Sequence, residues 1–236
     1  MDELTSRFLA AFNEIERFFK SKQSVNRHKT FNELVWIEFN RGSIDRDKRE
    51  YLSDVASLRN LLVHGYGNDK ISAIPTEETV QEIELLLEKL TNPTKLIPKF
   101  LDSVACCSLN ESVGVATRLM RENKFSQIPV IDKKGGIIDL LTTHTIALWL
   151  AEIFIEHDDL AENVPVGKVL KFKEDNHVHF FMSQDSTVGE ALSKIEKAIA
   201  HGNVFQAVLI TQNGKKSEKP LGIITASDIP MLRSES

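Results

Sequence analysis

Three short stretches of this chain occur twice in the same order, and that recurrence constrains the fold more than any other feature. Ser112-Val113-Gly114-Val115-Ala116 returns as Thr187-Val188-Gly189-Glu190-Ala191. Gln127-Ile128-Pro129-Val130-Ile131 returns as Gln206-Ala207-Val208-Leu209-Ile210. Asp139-Leu140-Leu141-Thr142-Thr143-His144-Thr145-Ile146 returns as Gly222-Ile223-Ile224-Thr225-Ala226-Ser227-Asp228-Ile229. The offset grows from 75 to 79 to 83 residues, and the growth falls in loops and at helix ends, where insertions are tolerated. Two copies of one βαββα unit are therefore expected, packed by pseudo-twofold symmetry.

Periodicity supplies the elements. The first copy reads as a strand at 104–108, a helix at 113–122, strands at 128–131 and 137–142, and a helix at 145–156. The second reads as a strand at 179–182, a helix at 188–200, strands at 207–211 and 221–225, and a helix from Ile229. Asn213-Gly214 marks the turn between its last two strands.

Residues 1–92 carry a different pattern. Leu4, Phe8, Ala11, Phe12, Ile15, Phe18 and Phe19 form one apolar stripe, which predicts a helix over 2–20. Leu34, Val35 and Phe39 predict a second helix over 31–39, stopped by Gly42. Leu52, Val55, Leu58 and Leu62 predict a third over 45–63. Val80, Ile83, Leu86, Leu87 and Leu90 predict a fourth, opening at Thr76 after Pro75. Four helices with short connections suggest a small bundle. Two prolines within 91–98 break the helical pattern. The expected chain is α+β: a helical bundle at 1–92, a linker at 93–98, and repeats at 99–160 and 161–236.

Charge narrows the function classes. The net charge is −5, divided as −3 over residues 1–92 and −2 over the rest, so neither part is a generic grip for DNA or an anionic membrane. The basic clusters Arg27-His28-Lys29 and Arg46-Asp47-Lys48-Arg49 read as solvated helix faces, or as the flanks of a cleft. The longest apolar-rich stretch, 137–155, holds Asp139, His144 and Glu152, so no membrane span is expected. Acids stand near the N-terminus where a signal peptide needs basic residues. Cys106 and Cys107 are adjacent and too few for a disulfide framework, which suits reduced structural thiols in a cytoplasmic protein. His177/His179 and His157/Asp158/Asp159 offer no third metal ligand at supporting spacing, so no metal is required. Phe180, Phe181 and Trp149 read as core rather than as stacking platforms.

On these repeated motifs, residues 99–236 resemble a tandem pair of CBS domains, the module named after cystathionine β-synthase. The Gln127–Asp132 strand, the Leu221–Ile229 strand and turn, and the Ser/Thr-Val-Gly-x-Ala helix start carry the resemblance. It implies an adenine nucleotide (AMP, ADP, ATP or a cyclic dinucleotide) bound in the cleft between the copies. A Thr ending a strand offers its hydroxyl and the following N–H groups to a phosphate, and an Asp three residues later can accept from two ribose hydroxyls. Thr225 and Asp228 hold those positions in the second copy, with Ser227 beside them and Val208 on the preceding strand. In the first copy Thr142 keeps the hydroxyl, but Thr145 replaces the Asp and Asp139 replaces the Gly, so this site is altered or empty. His144 could serve a phosphate there. Without a ligand, the same Thr and Asp would serve as a strand end and a helix cap.

The helical part ends its third helix with Arg59, Asn60 and, after three further residues, His64. That spacing, with the four-helix layout, resembles the HEPN superfamily, many of whose members are metal-independent ribonucleases. His can move protons near neutral pH, and the Arg fork can stabilise phosphorane oxygens. One His is short of an acid plus a base; a homodimer would bring a second set to the same cleft. Asn60 would hold the Arg or a phosphate. Tyr66 matches the Arg-x4-His-x-Tyr form of HEPN toxins, in which that Tyr is a target of nucleotidyl transfer. The competing reading is structural: Arg59 pairs with Asp54 or Glu50, and His64-Gly65 ends the helix. The combined expectation is a nucleotide-sensing protein with an RNA-cutting partner domain, or a non-enzymatic regulatory and dimerisation module.

Overall fold

The computed structural model describes residues 2–23, 29–64, 73–156 and 163–235, with the side chains of His64, Ile155 and Glu156 outside the description. The chain divides into two compact units, residues 1–94 with the last two residues, and Lys95–Ser234.

The first unit is helical. Among its described residues it contains α1 (Glu3–Ser21), α2 (Phe31–Arg41), α3 (Arg46–His64) and α4 (Glu77–Thr91). Each start is set by a short polar side chain bonding an orphan N–H of the first turn. Asp2 caps α1, Thr30 and Glu33 form a reciprocal capping box on α2, and Thr76 caps α4. Gly42 ends α2 in the left-handed conformation (φ 77°), where a Cβ would be strained. The predicted stripes converge: Phe8, Phe12, Ile15 and Phe19 pack with Phe31, Leu34, Leu52, Val55, Val80 and Ile83. Phe18 and Leu4 sit at the rim of that core, partly buried. Arg7 of α1 bridges Glu77 and Glu84 of α4, and these two carboxylates hold its pKa above the ordinary arginine value.

The second unit holds the two repeats. The first contains β1 (Cys107–Ser108), α5 (Val113–Asn123), β2 (Gln127–Ile131), β3 (Ile137–Thr142) and α6 (Thr143–Glu156). The second contains α7 (Val166–Val169), a 3-10 turn, β4 (His177–Ser183), α8 (Val188–Ala200), β5 (Val204–Thr211), β6 (Gly222–Thr225), another 3-10 turn and α9 (Ile229–Glu235). Both sheets have one topology: the first strand runs parallel to the second, and the second antiparallel to the third. The repeated Ser/Thr-Val-Gly-x-Ala piece is a helix start. Ser112 and Thr187 cap α5 and α8, while Val113, Val188, Ala116 and Ala191 are buried beneath them.

Strand register corrects the repeat by one residue. Gln127 pairs with Thr142, and Ala207 with Thr225. Gln127 therefore corresponds to Ala207, not to Gln206 as the letters suggest. Side chains alternate with a period of two, so this shift decides which face each residue occupies. Ile128 and Val130 face the core of their own repeat, as Val208 and Ile210 do in theirs. Leu140, Ala207 and Leu209 instead meet in a small cluster shared by the two sheets.

Each repeat also borrows from the segment preceding the other. Leu96 N–H donates to Ser186 O at 2.8 Å, and Leu96 and Phe100 are buried in the second core. In the matching arrangement, Val113 N–H donates to Val164 O at 2.8 Å, and Val166 and Val169 are buried in the first core. Trp149 is core, as expected. Cys107 is buried and Cys106 half-buried; burial pushes both thiols up, Cys107 to about 12 with the help of Glu111. Both are thus protonated and inert near neutral pH.

Candidate functional site

The second repeat carries a cleft of about 260 Å³ at the end of β6. Thr225, Ser227 and Asp228 line it together. Asp228 Oδ2 accepts from the Thr225 amide at 2.7 Å and from Thr225 Oγ1 at 3.0 Å. Thr225 Oγ1 also lies 2.7 Å from Ser227 Oγ. The strand end and the 3-10 turn are thus locked in one hydrogen-bonded loop, and among the described residues Asp228 Oδ1 has no partner.

The remaining walls come from elsewhere. Ile223, Pro129 and Phe125 give apolar surface, and Lys124, Ser126 and Gln127 give polar surface. Residues 102–105, outside any helix or strand, form a further wall. Gly222 lets that wall approach: a Cβ there would stand 1.9 Å from the Phe100 carbonyl oxygen. Sequence reasoning missed Lys124 and the 102–105 wall, because neither belongs to the repeated motifs. Lys124 ends α5 in the left-handed conformation (φ 57°), which a lysine does not signal in sequence.

Val208 does not join the site. It is fully buried in the second core, on the face of β5 opposite the shared cluster that holds Ala207 and Leu209.

The first repeat presents a different arrangement. Thr142 and Thr145 are buried, their hydroxyls 3.0 Å apart, and Thr142 Oγ1 accepts from the Thr145 amide at 3.1 Å. The Thr142 hydroxyl is therefore spent on the start of α6. Asp139 is held by Lys173 Nζ at 2.6 Å. Burial opposes ionisation of Asp139, but the Lys173 bond and charge together with the Leu140 N–H outweigh it and keep this carboxyl below its usual range. His179 lies beside them, pushed down to about 4 by burial and by Lys173, so it is neutral at physiological pH. His144 is exposed and meets Glu174 Oε2 at 3.0 Å rather than facing an open phosphate site.

In the helical unit, Arg59 and Asn60 are adjacent on α3, with Arg59 Nη1 donating to Asn60 Oδ1 at 3.3 Å. The Arg59 guanidinium also sits over the Phe12 ring at 5.9 Å. Glu50 is taken by Arg46 at 2.8 Å. His64 is the last residue of α3; its side chain and all of Tyr66 lie outside the described residues, as do Arg27, His28 and His157. Of the second basic cluster, Arg46 bonds Glu50, Lys48 bonds Asp45, and Arg49 lies over Phe39. Arg46 is exposed, whereas Lys48 and Arg49 are half-buried and Arg49 lines an open groove with Trp36, Glu50 and Asp54.

One family model and several solved structures match part of the chain. Residues 101–152 match the CBS domain family model, so a CBS domain lies there. No curated protein matches the chain as a relative. Among solved structures, it is similar to a putative acetoin utilization protein (AcuB) from Vibrio cholerae, at 15% identity and TM-score 0.44, over 60% of this chain and 91% of that one. It is also similar to the CBS domain pair of protein MJ0100, solved with 5-methylthioadenosine and S-adenosyl-L-methionine, at 17% identity and TM-score 0.44, over 60% and 97%. A third is CBSX2, solved with AMP, at 16% identity and TM-score 0.40, over 60% and 92%. The fold is α+β, as the sequence implied. Among the described residues, no helix is long and apolar enough to cross a membrane.

Proposed function

We propose that residues 95–234 form a CBS pair that binds an adenine mononucleotide in the Thr225–Asp228 cleft and serves as a regulatory module. The observation that carries this reading is the composition of that one cleft. Apolar Ile223, Pro129 and Phe125 suit a base, the free Oδ1 of Asp228 suits a ribose diol, and Thr225, Ser227 and Lys124 suit a phosphate. Ligand pockets commonly span roughly 300–1,000 Å³. A cleft of about 260 Å³ therefore favours AMP, ADP or ATP with its outer phosphates in solvent over a cyclic dinucleotide.

A ligand that binds only the folded state raises the melting temperature; at a hundred times Kd it adds about 2.7 kcal/mol. Millimolar AMP, ADP or ATP is expected to raise the melting temperature measurably, and GMP less. No rise with any adenine nucleotide would remove the reading.

A second reading concerns the helical unit: a metal-independent ribonuclease that acts as a homodimer in the cytoplasm. The Arg59–Asn60 hydrogen bond favours it, because it holds the guanidinium at the end of α3 where His64 follows. Here RNA cleavage in the presence of EDTA is expected, reduced at least a hundredfold in Arg59→Ala and in His64→Ala. Cleavage persisting in both variants would rule out this chemistry and leave a dimerisation module.

A further inference from the structure

The equivalence of the two repeats relates the Thr225 cleft to a cluster of His and Glu side chains drawn from the start of α6 and the approach to β4. Cys107 pairs with Val130, and Met182 with Ile210, the structural equivalent of Val130. Counting back from Cys107 and Met182, Asp102 corresponds to His177. On the other wall, Ser227 corresponds to His144. Asp102 and Ser227 both line the cleft. Their counterparts His144 and His177 are gathered with Glu174, and one ligand atom from each lies within 4.8 Å of the others.

We propose that His144, Glu174 and His177 form a binding site for a divalent transition metal of the zinc class. Glu174 Oε2 lies 3.0 Å from His144 Nε2 and 3.1 Å from His177 Nε2. Tetrahedral zinc with ligands at about 2.0–2.1 Å separates neighbouring ligand atoms by roughly 3.3 Å, so a small outward shift of these atoms seats the ion. Two imidazoles and one carboxylate are a zinc-type donor set, and a water completes the fourth position. His144 and Glu174 are about half exposed, at 48% each, which gives the ion and that water access. His177 is 8% exposed, with its Nε2 turned to the shared Glu174 carboxylate, so the ring is packed in place to offer that nitrogen to an ion.

The elements make the site a clasp. His144 lies in the first turn of α6, Glu174 in the segment leading to β4, and His177 opens β4. A bound ion would tie the first repeat's helix to the connection between repeats. Binding consumes no co-reactant; two imidazole nitrogens and one carboxylate oxygen each donate a lone pair, and displaced protons go to solvent. The site is independent of the nucleotide reading, since it shares no residue with the Thr225 cleft.

The test is titration of the full chain with Zn²⁺ against a chromophoric chelator, repeated with Co²⁺, whose visible absorption reports tetrahedral geometry. One equivalent per chain is expected, with a tetrahedral Co²⁺ spectrum. Affinity is expected to fall at least tenfold in His144→Ala and in Glu174→Gln. Both residues are half exposed, so these variants are expected to fold, and retained AMP stabilisation reports that the second repeat is intact. No Zn²⁺ binding at 100-micromolar concentration, or binding undiminished in both variants, would overturn the proposal.

Discussion

Gly222→Ala is expected to destabilise the repeat unit by about 2–4 kcal/mol, lowering the urea midpoint of its unfolding. The added Cβ would lie 1.9 Å from the Phe100 carbonyl oxygen and 3.1 Å from its carbon. Both obstructing atoms are backbone, so no side chain can swing aside. Relief requires residues 100–102 to move outward. That motion stretches the Asp102 N–H to Leu221 O bond, now 3.2 Å, and uncovers Phe100, which is buried with Leu96 in the second core. It also displaces the 102–105 wall of the cleft, so nucleotide binding should weaken with stability. Gly189→Ala is the matched control. Gly189 lies in the first turn of α8 with nothing within 4 Å of its added Cβ, and the same substitution there should be neutral or stabilising by up to about 1 kcal/mol. Equal effects at the two glycines would contradict the close approach at Gly222.

Asp228→Asn is expected to weaken adenine-nucleotide binding by about 10- to 100-fold while leaving the unliganded fold nearly intact. Hydrogen bonds to a charged group contribute about 1.5–3 kcal/mol, which corresponds to that range of affinity. The asparagine carbonyl can still accept from the Thr225 amide, so the cap survives; Asp228→Ala would lose it as well, at about 1 kcal/mol. A lower affinity at an unchanged melting temperature is therefore the signature of a ligand contact. A lower melting temperature with unchanged affinity would make Asp228 a structural cap.

Much of the architecture was legible in the residues because it is local. Helix stripes such as Phe8, Phe12, Ile15 and Phe19, and caps such as Thr187, act within one turn of their own helix. The cluster of Thr225, Ser227 and Asp228 was legible for the same reason, being four consecutive positions with Ala226. What was hidden is non-local. Leu96 falls in a proline-broken stretch that reads as a linker, yet it is fully buried under the second repeat. Val208 lies on the strand beside the site, but strand pairing sets the register of β5 one residue from the letter match and turns Val208 into the second core. The His144–Glu174–His177 cluster escaped a spacing argument because His144 lies thirty residues before Glu174. Only the fold closes that gap.

The two ends of the repeat pair thus differ: at one, Thr225 and Asp228 line an open cleft, and at the other Thr142 is closed into a buried cap. The most direct test is calorimetric titration of the ligand-free chain with AMP. One adenine nucleotide per chain, with heat abolished or strongly reduced in Asp228→Asn, is the predicted result. Two equivalent sites per chain, or a single site indifferent to Asp228, would contradict the account.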